Sequence, residues 1–201
     1  MSTSASTNHN KENSRPLFTH AIAHKLPLNK SYANEQVHRI NITGKQMDSL
    51  IFEVMTFEAL RFMNNSCAGA YFTGCHFANI IFSHCHLRKA EFTDCTFENV
   101  VLENCSLDHA DFNNSKLEQV SFHFCTMEWF YTTDSKWHNI RIQQCLLDGA
   151  VITDSELQNI AFRKNELERH YPFKVSDSIM LLSHEQINLP DTATFLSYVM
   201  K

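Results

Sequence analysis

The chain has 201 residues, enough for one substantial domain and short for two. Seventeen Lys and Arg against 22 Asp and Glu leave a formal charge of -5, which argues against an ordinary basic nucleic-acid-binding surface. Seven cysteines, an odd number, with no secretory signal pattern ahead of them, point to free thiols in a reducing compartment rather than a disulfide framework, and no run reaches the ~18 apolar residues of a membrane span. A cytoplasmic chain that does not enter a membrane is expected.

Residues 1–20 read as a disordered polar tail, since "MSTSASTNHNKENS" offers almost no large apolar side chain to offset the entropy of ordering. Residues 21–45 read as an N-terminal capping segment with a first irregular coil. From 46 to 169 a period of five takes over. Large apolar residues recur at Phe72, Phe77, Phe82, Leu87, Phe92, Phe97 and so on to Leu167, and of these centres only Thr132 is neither large nor apolar. Two residues before each centre stands a second column, mostly small: Ala70, Cys75, Ile80, Cys85, Ala90, Cys95 and onward. Neither the 3.6 period of a helix nor a plain alternating strand fits this pattern. Read every twentieth residue, the second column separates into four: Ala70, Ala90, Ala110, Phe130, Ala150; Cys75, Cys95, Ser115, Ser135, Ser155; Ile80, Val100, Val120, Ile140, Ile160; and Cys85, Cys105, Cys125, Cys145, Asn165. Four columns mean four sides per turn, and the register extends weakly back to Tyr32.

The units "ADFNN", "AEFTD", "CTFEN" and "CSLDH" resemble those of the pentapeptide-repeat family, which centre on Leu or Phe with a small residue two positions earlier. The resemblance covers roughly two thirds of the chain. It implies an all-β solenoid, a right-handed quadrilateral β-helix of four pentapeptides per coil with no enclosed cavity. Stacking suits such a chain physically, because a lone coil cannot bury its inward side chains whereas coils at the ~4.8 Å strand spacing bury them against each other. Phe72, Phe92 and Phe112 should then form one aromatic ladder, and Phe62, Phe82 and Phe122 should belong to another. Corners need positive φ, and the position two after each centre supplies residues that tolerate it, among them Asn64, Gly74, Asn79, Asp94, Asn99, Asp134, Asn139, Asp154 and Asn159.

This register answers for the cysteines. Six of the seven occupy the small inward position and Cys67 a centre, so they read as small buried hydrophobes; a straight column is the wrong shape for a zinc tetrahedron. His76, His84, His86, His109, His123 and His138 fall at outward or corner positions and read as solvated. No nucleophile elbow, phosphate loop or dinucleotide fingerprint is present. A non-catalytic protein without cofactor or metal is therefore expected.

Two surface features stand out. Phe130 fills a slot otherwise held by Ala, while Thr132 fills a centre otherwise held by Phe or Ile, so large and small have traded places; Phe124, Trp129 and Tyr131 lie outward around this coil as a candidate hot spot. Asp108, Glu128, Asp148 and Glu168 share one outward position on successive coils, with Glu91, Asp111, Asp94, Asp134 and Asp154 around the corner. Such a stripe either keeps the rod soluble or imitates the charge of duplex DNA. After the repeat, residues 170–201 read as a C-terminal cap: a short helix over "VSDSIMLLSH" started at Ser176, an extended "INL", and a second helix started by Asp191.

In size, whole-chain repeat and C-terminal cap the chain is similar to the members of the family that protect DNA gyrase from quinolones or peptide toxins. That similarity implies binding of gyrase or another type II topoisomerase through acidic faces, with no direct nucleic-acid contact, in a dimer joined through 170–201. The departure is a modest acidic excess interrupted by Arg88, Lys89, Arg141, Arg163 and Lys164. The alternative is a bacterial effector or adaptor, exported into a host cell through its Ser/Thr/Asn-rich start and binding a host protein there.

Overall fold

The computed structural model describes residues 17–167, 170–183 and 185–200. From Ser31 to Arg163 the strands pair in parallel with segments twenty residues away, as in Tyr71↔Glu91, Phe97↔Leu117 and Phe122↔Ile142. The result is a square β-solenoid. Face 1 is an eight-stranded sheet carrying the centres Phe52, Phe72, Phe92 and Phe112, and at ~4.8 Å per rung it is roughly 34 Å long. Faces 2 and 3 run on from each other in eight-residue strands such as Lys116–His123. Face 4 is held only by isolated bridges from Gln46↔Ser66 up to Leu146↔Glu166, because each of its turns closes tightly on the centre residue, as in Ala90 N–H to Leu87 O at 3.1 Å.

The alternating pattern of burial follows the two inward columns. The aromatic ladders form: Phe52, Phe72 and Phe92 stack at 4.8 Å per step with their planes within 6°, and Phe62 stacks on Phe82 at 4.7 Å. Phe112 closes the first ladder tilted by 34°. Phe122 is cut off from the second by Leu102, which stands between it and Phe82 in the register.

Every fifth residue from Asn34 to Lys164 has positive φ, whatever its type. Asn, Asp and Gly supply many of these corners as expected, but Val54, Ala59, Gln119, Phe124 and Trp129 adopt the same left-handed conformation. The hydrogen-bonded rungs on both sides of a corner fix its geometry, and they override a local preference of about 1–2 kcal/mol per residue.

Both ends differ from the sequence expectation. The helix α1, Phe18–Ala23, occupies residues assigned in part to a disordered tail; the rest of that tail, residues 1–16, lies outside the described residues. Its Phe18 is fully buried against Tyr32 at 5.0 Å and Phe52 at 5.4 Å, plugging the open end of the core. The Phe18 N–H donates to Glu35 Oε2 at 2.8 Å, so Glu35, at the foot of the Met55–Cys75 column, satisfies a helix-end donor. The first coil is already regular, with corners at Asn34, Arg39 and Gly44.

At the other end, the helix expected from Ser176 is absent. Lys174–Ser176 and Ser178–Leu181 are instead strands that continue faces 1 and 2. An unpaired edge of Val151–Thr153 and Glu156–Gln158 offers these residues a full set of backbone partners, and that outweighs a helix cap. Pairing shifts from twenty to twenty-three residues here, Val151 facing Lys174, because three extra residues are accommodated before Phe173. Gln186–Leu189 then turns back as an antiparallel outer strand, the expected extended piece. Helix α2, Thr192–Val199, is capped by Asp191, which accepts the Thr194 N–H at 2.8 Å. Its Phe195 closes the core against Phe162 at 5.7 Å and Phe173 at 6.1 Å.

Candidate interaction surface

The cysteines belong to the core. All seven are buried and free. Each thiol in the inward columns donates to two carbonyls, as Cys85 Sγ does to Phe62 O at 3.3 Å and Ser83 O at 3.5 Å. The serines of the neighbouring column do the same and also accept: Ser135 Oγ donates to Phe112 O at 3.0 Å and receives the Ser115 N–H at 3.1 Å. Asn65 and Asn165 close the Cys85–Cys145 column at its two ends, each accepting a backbone N–H and donating to a carbonyl. Burial, with Asp48 nearby, pushes the Cys67 thiol up to about 12. Contacts with neighbouring thiols, and then burial, hold Cys85, Cys95 and Cys125 far above the ordinary thiol range. These are inert structural groups.

The acidic stripe on face 4 divides by what its members touch. Asp148 is only 3 % exposed, and its Oδ1 accepts the N–H groups of His170 at 2.8 Å and Tyr171 at 2.7 Å. Asp108 Oδ1 accepts the Glu128 N–H at 3.1 Å, and Asp48, below it in the same column, accepts the Ala68 N–H at 2.8 Å. The tight turns of face 4 leave these amides off the ladder, and the carboxylates take them up. Asp148 therefore does not present its charge outward as the sequence suggested, and Asp108 does so only in part, with Arg88 Nε at 3.9 Å. Glu128 is half-buried in the same column. Glu168 lies outside the described residues.

A set of solvent-facing acids lines the corner between faces 1 and 2. Asp94, Asn114, Asp134, Asp154 and Asp177 occupy successive rungs there, all at positive φ. Asn114 Nδ2 bonds to Asp94, and Thr153 Oγ1 donates to Asp154 Oδ2 at 3.0 Å. Glu91 is exposed on face 1 directly beside Asp111 in the register. Burial, opposed by a hydrogen bond from Asn113 and reinforced by Glu91, holds the Asp111 carboxyl above its ordinary range. Lys136, in the next column, is engaged with Glu156 at 3.9 Å. The sequence reading does not place Asp177 because the three-residue slip hides "FKVSD", a repeat unit on the same corner one coil up.

The aromatic cluster is partly assembled. Trp129 is 44 % exposed at the face 4 to face 1 corner, over His109 at 6.5 Å and against Tyr171 at 4.5 Å. Gly149 lies directly above it: a Cβ there would come within 3.0 Å of the indole, so glycine makes room for the ring. Tyr131 is exposed beside it on face 1, whereas Phe124 is exposed at the far corner of face 4 and stands apart. Inside, Phe130 packs at 5.2 Å from Phe112 and 6.2 Å from Trp137, filling the space that Thr132 leaves. Thr132 Oγ1 donates to Phe112 O at 2.7 Å.

Histidines meet glutamates on face 2: His76 and His138, expected to be solvated, lie against Glu98 at 3.8 Å and Glu118 at 2.7 Å, and His38 against Glu58 at 3.0 Å. Among the described residues no three His, Cys, Asp or Glu side chains are grouped so as to hold a metal ion, and no helix is long and apolar enough to cross a membrane. The export-signal reading falls on residues 1–16, outside the described residues.

None of the curated proteins matches the chain. Among solved structures, trypsin-treated QnrB1, a plasmid-mediated fluoroquinolone resistance protein, is similar at 19 % identity and a TM-score of 0.45, covering 72 % of this chain and 83 % of its own. HetL, a pentapeptide repeat protein involved in heterocyst differentiation regulation from the cyanobacterium Nostoc, is similar at 10 % identity and a TM-score of 0.34, covering 82 % and 80 %. The pentapeptide repeat protein Rfr23 from the cyanobacterium Cyanothece is similar at 12 % identity and a TM-score of 0.24, covering 72 % and 95 %. The family model described as a pentapeptide repeat region matches residues 75–152; the coils continue on both sides of that span. Over the matched residues the chain is similar to the pentapeptide-repeat family.

Proposed function

We propose that this protein is a non-catalytic interaction rod that acts as a DNA mimic, offering its acidic edge to the basic DNA-binding groove of a type II topoisomerase such as DNA gyrase and so protecting it from a toxin or quinolone. The observation that carries this reading is the row Asp94, Asp134, Asp154 and Asp177, set by the backbone on one straight corner, with Glu91 and Asp111 beside it. Four charges over five rungs of ~4.8 Å, with Asn114 between Asp94 and Asp134, amount to one per ~6 Å, a little over a quarter as dense as the one per ~1.7 Å of duplex DNA. The edge is thus a weak polyanion, suited to a salt-sensitive complex steered by charge rather than to a tight one. Trp129 and Tyr131 give the neighbouring corner an apolar anchor, with Glu128 at its margin; Phe124, proposed from the sequence as a third member, lies on the opposite corner of face 4.

A supercoiling assay tests this. Wild-type protein is expected to preserve gyrase activity against a quinolone or a peptide toxin, and Asp134→Lys/Asp154→Lys to lose that effect. Absence of protection at saturating wild-type protein, or unchanged protection by the charge-reversed variant, refutes the proposal. We further infer a homodimer contact at the C-terminal cap, where Gln186–Leu189 is the outermost strand of the eleven-stranded sheet. Sedimentation of Asn188→Pro as a monomer beside a dimeric wild type is the expected result.

A further inference from the structure

Face 3 changes character along the rod. Its outward column carries Ile81 and Val101 in the middle coils, then Ser121, Arg141 and Ala161. The companion column carries Ser83, Glu103, His123, Gln143 and Arg163. In the upper coils these two columns enclose a notch of about 320 Å³ lined by His123, Arg141, Ile142, Gln143, Ala161 and Arg163.

Its shape follows from the ladder. Arg141 lies under Ala161, and Gln143 under Arg163, so the two arginines stand on one diagonal of a two-by-two grid and the short Ala161 leaves the opening. Two residues along a strand and one rung across put their Cα atoms about 8 Å apart, within reach of a shared small ligand for side chains of that length. Both arginines are exposed, and neither has a carboxylate within ion-pair distance among the described residues. On face 3 the described strands carry one acid, Glu103, two rungs below Gln143 and three below Arg163 in their own column. Two guanidinium charges are therefore concentrated, uncompensated, at one concave spot of a chain whose net charge is -5.

We infer that this notch is an anion site for a phosphate monoester. Two guanidinium forks present paired N–H donors that match the oxygens of a tetrahedral oxyanion, and their two positive charges balance a dianion, whereas a carboxylate would neutralise only one. Gln143 supplies a further amide donor, and the short Ala161 gives the ester carbon an apolar floor. The site goes beyond the role proposed for the acidic edge and uses none of its residues.

Calorimetric titration of the full chain at constant ionic strength tests the site, using inorganic phosphate, a phosphoserine tripeptide, and acetate as the monovalent comparison. Saturable one-to-one phosphate binding, tighter than acetate and at least tenfold weaker in Arg141→Gln and in Arg163→Gln, supports it; loss of one charge-assisted contact is worth that much. Lys116→Gln, on face 2, should bind as wild type, and both arginine variants should keep the wild-type melting temperature because their side chains are exposed. Tighter binding of the tripeptide than of free phosphate would assign the ligand to a phosphorylated protein segment, and equal binding to a free phosphorylated small molecule. Heats that chloride reproduces at the same ionic strength, or full binding by both arginine variants, overturn the inference.

Discussion

The exchange of sizes at Phe130 and Thr132 makes a quantitative demand on the core. Phe130 is 1 % exposed, so Phe130→Ala should cost about 3–5 kcal/mol through lost burial and the cavity left behind. Thr132→Phe alone pushes a ring into space already held by Phe130 and Trp137, and removes the 2.7 Å hydrogen bond to Phe112 O; overpacking and the lost bond together cost about 2–4 kcal/mol. If the two residues share one volume, the double variant regains the arrangement of the coils below, where Ala90 and Ala110 face Phe92 and Phe112. Its loss should then fall at least about 2 kcal/mol short of the sum of the singles, a coupling typical of residues in contact. Trp137, larger than Leu117 and Leu157 in its column, fits because Thr132 is small, so adding Trp137→Leu should restore more. Guanidinium unfolding followed by circular dichroism measures all four variants, and Phe130→Ala alone should lower the melting temperature by roughly 6–20 °C for a chain of this size. Losses that add within about 0.5 kcal/mol would show that the two sites are independent and that the exchange is not a shared-volume device.

Val54 is β-branched, 60 % exposed and held at φ 54°, so Val54→Gly should raise stability by about 1 kcal/mol, read as a higher melting temperature. Gly149→Ala should destabilise by about 1–2 kcal/mol and shift the Trp129 emission, since the new methyl meets the indole at 3.0 Å and φ is 69°. Asp148→Ala should cost about 2–4 kcal/mol by stranding the His170 and Tyr171 amides, and hydrogen exchange should quicken at those two positions. The Asp111 carboxyl is raised in the folded state, so the fold binds the proton more tightly than the unfolded chain and loses stability as pH rises from the ordinary carboxylate range through the raised value. Asp111→Asn should accordingly be more stable than wild type at neutral pH, with the gap closing on acidification; a gap independent of pH would contradict this assignment.

What was legible in the sequence was the part governed by strict periodicity. Inward slots recur because each coil buries its side chains against identical neighbours, so Cys85 and Phe92 announce their places by spacing alone. Corners were legible only where the residue tolerates positive φ, as at Asn79 or Asp154. Val54 and Trp129 gave no such sign, since their conformation comes from rungs on either side rather than from themselves. The acids divided for a similar reason: Asp94 and Asp148 look alike in the chain, but only the tight turns of face 4 leave amide groups for a carboxylate to accept. The last coil was misread because three extra residues break the count. Once "FKVSD" is set three residues further on, Val175, Asp177 and Ser178 fall into the same columns as Ile152, Asp154 and Ser155.

A core fixed by inward columns leaves the outward positions free to vary, and the charge on this rod is distributed accordingly. Anionic groups without backbone partners stand on the face 1 to face 2 corner and along face 2, and two cations without an ion-pair partner among the described residues, Arg141 and Arg163, stand on the upper half of face 3. Both sets stand on rigid ladder positions, so neither needs a loop to order on binding, and the entropy cost of association falls mainly on the side-chain ends. The two surfaces also share no side chain and no hydrogen bond, a condition under which substitutions act additively. Charge reversal at Asp134 and Asp154 should therefore leave phosphate affinity at the Arg141–Arg163 notch unchanged apart from a small long-range electrostatic shift that 0.15 M salt, with a Debye length of about 8 Å, largely removes. A large change surviving at that salt would mean that the coils transmit strain from face to face, and the rod would have to be treated as one coupled surface rather than four.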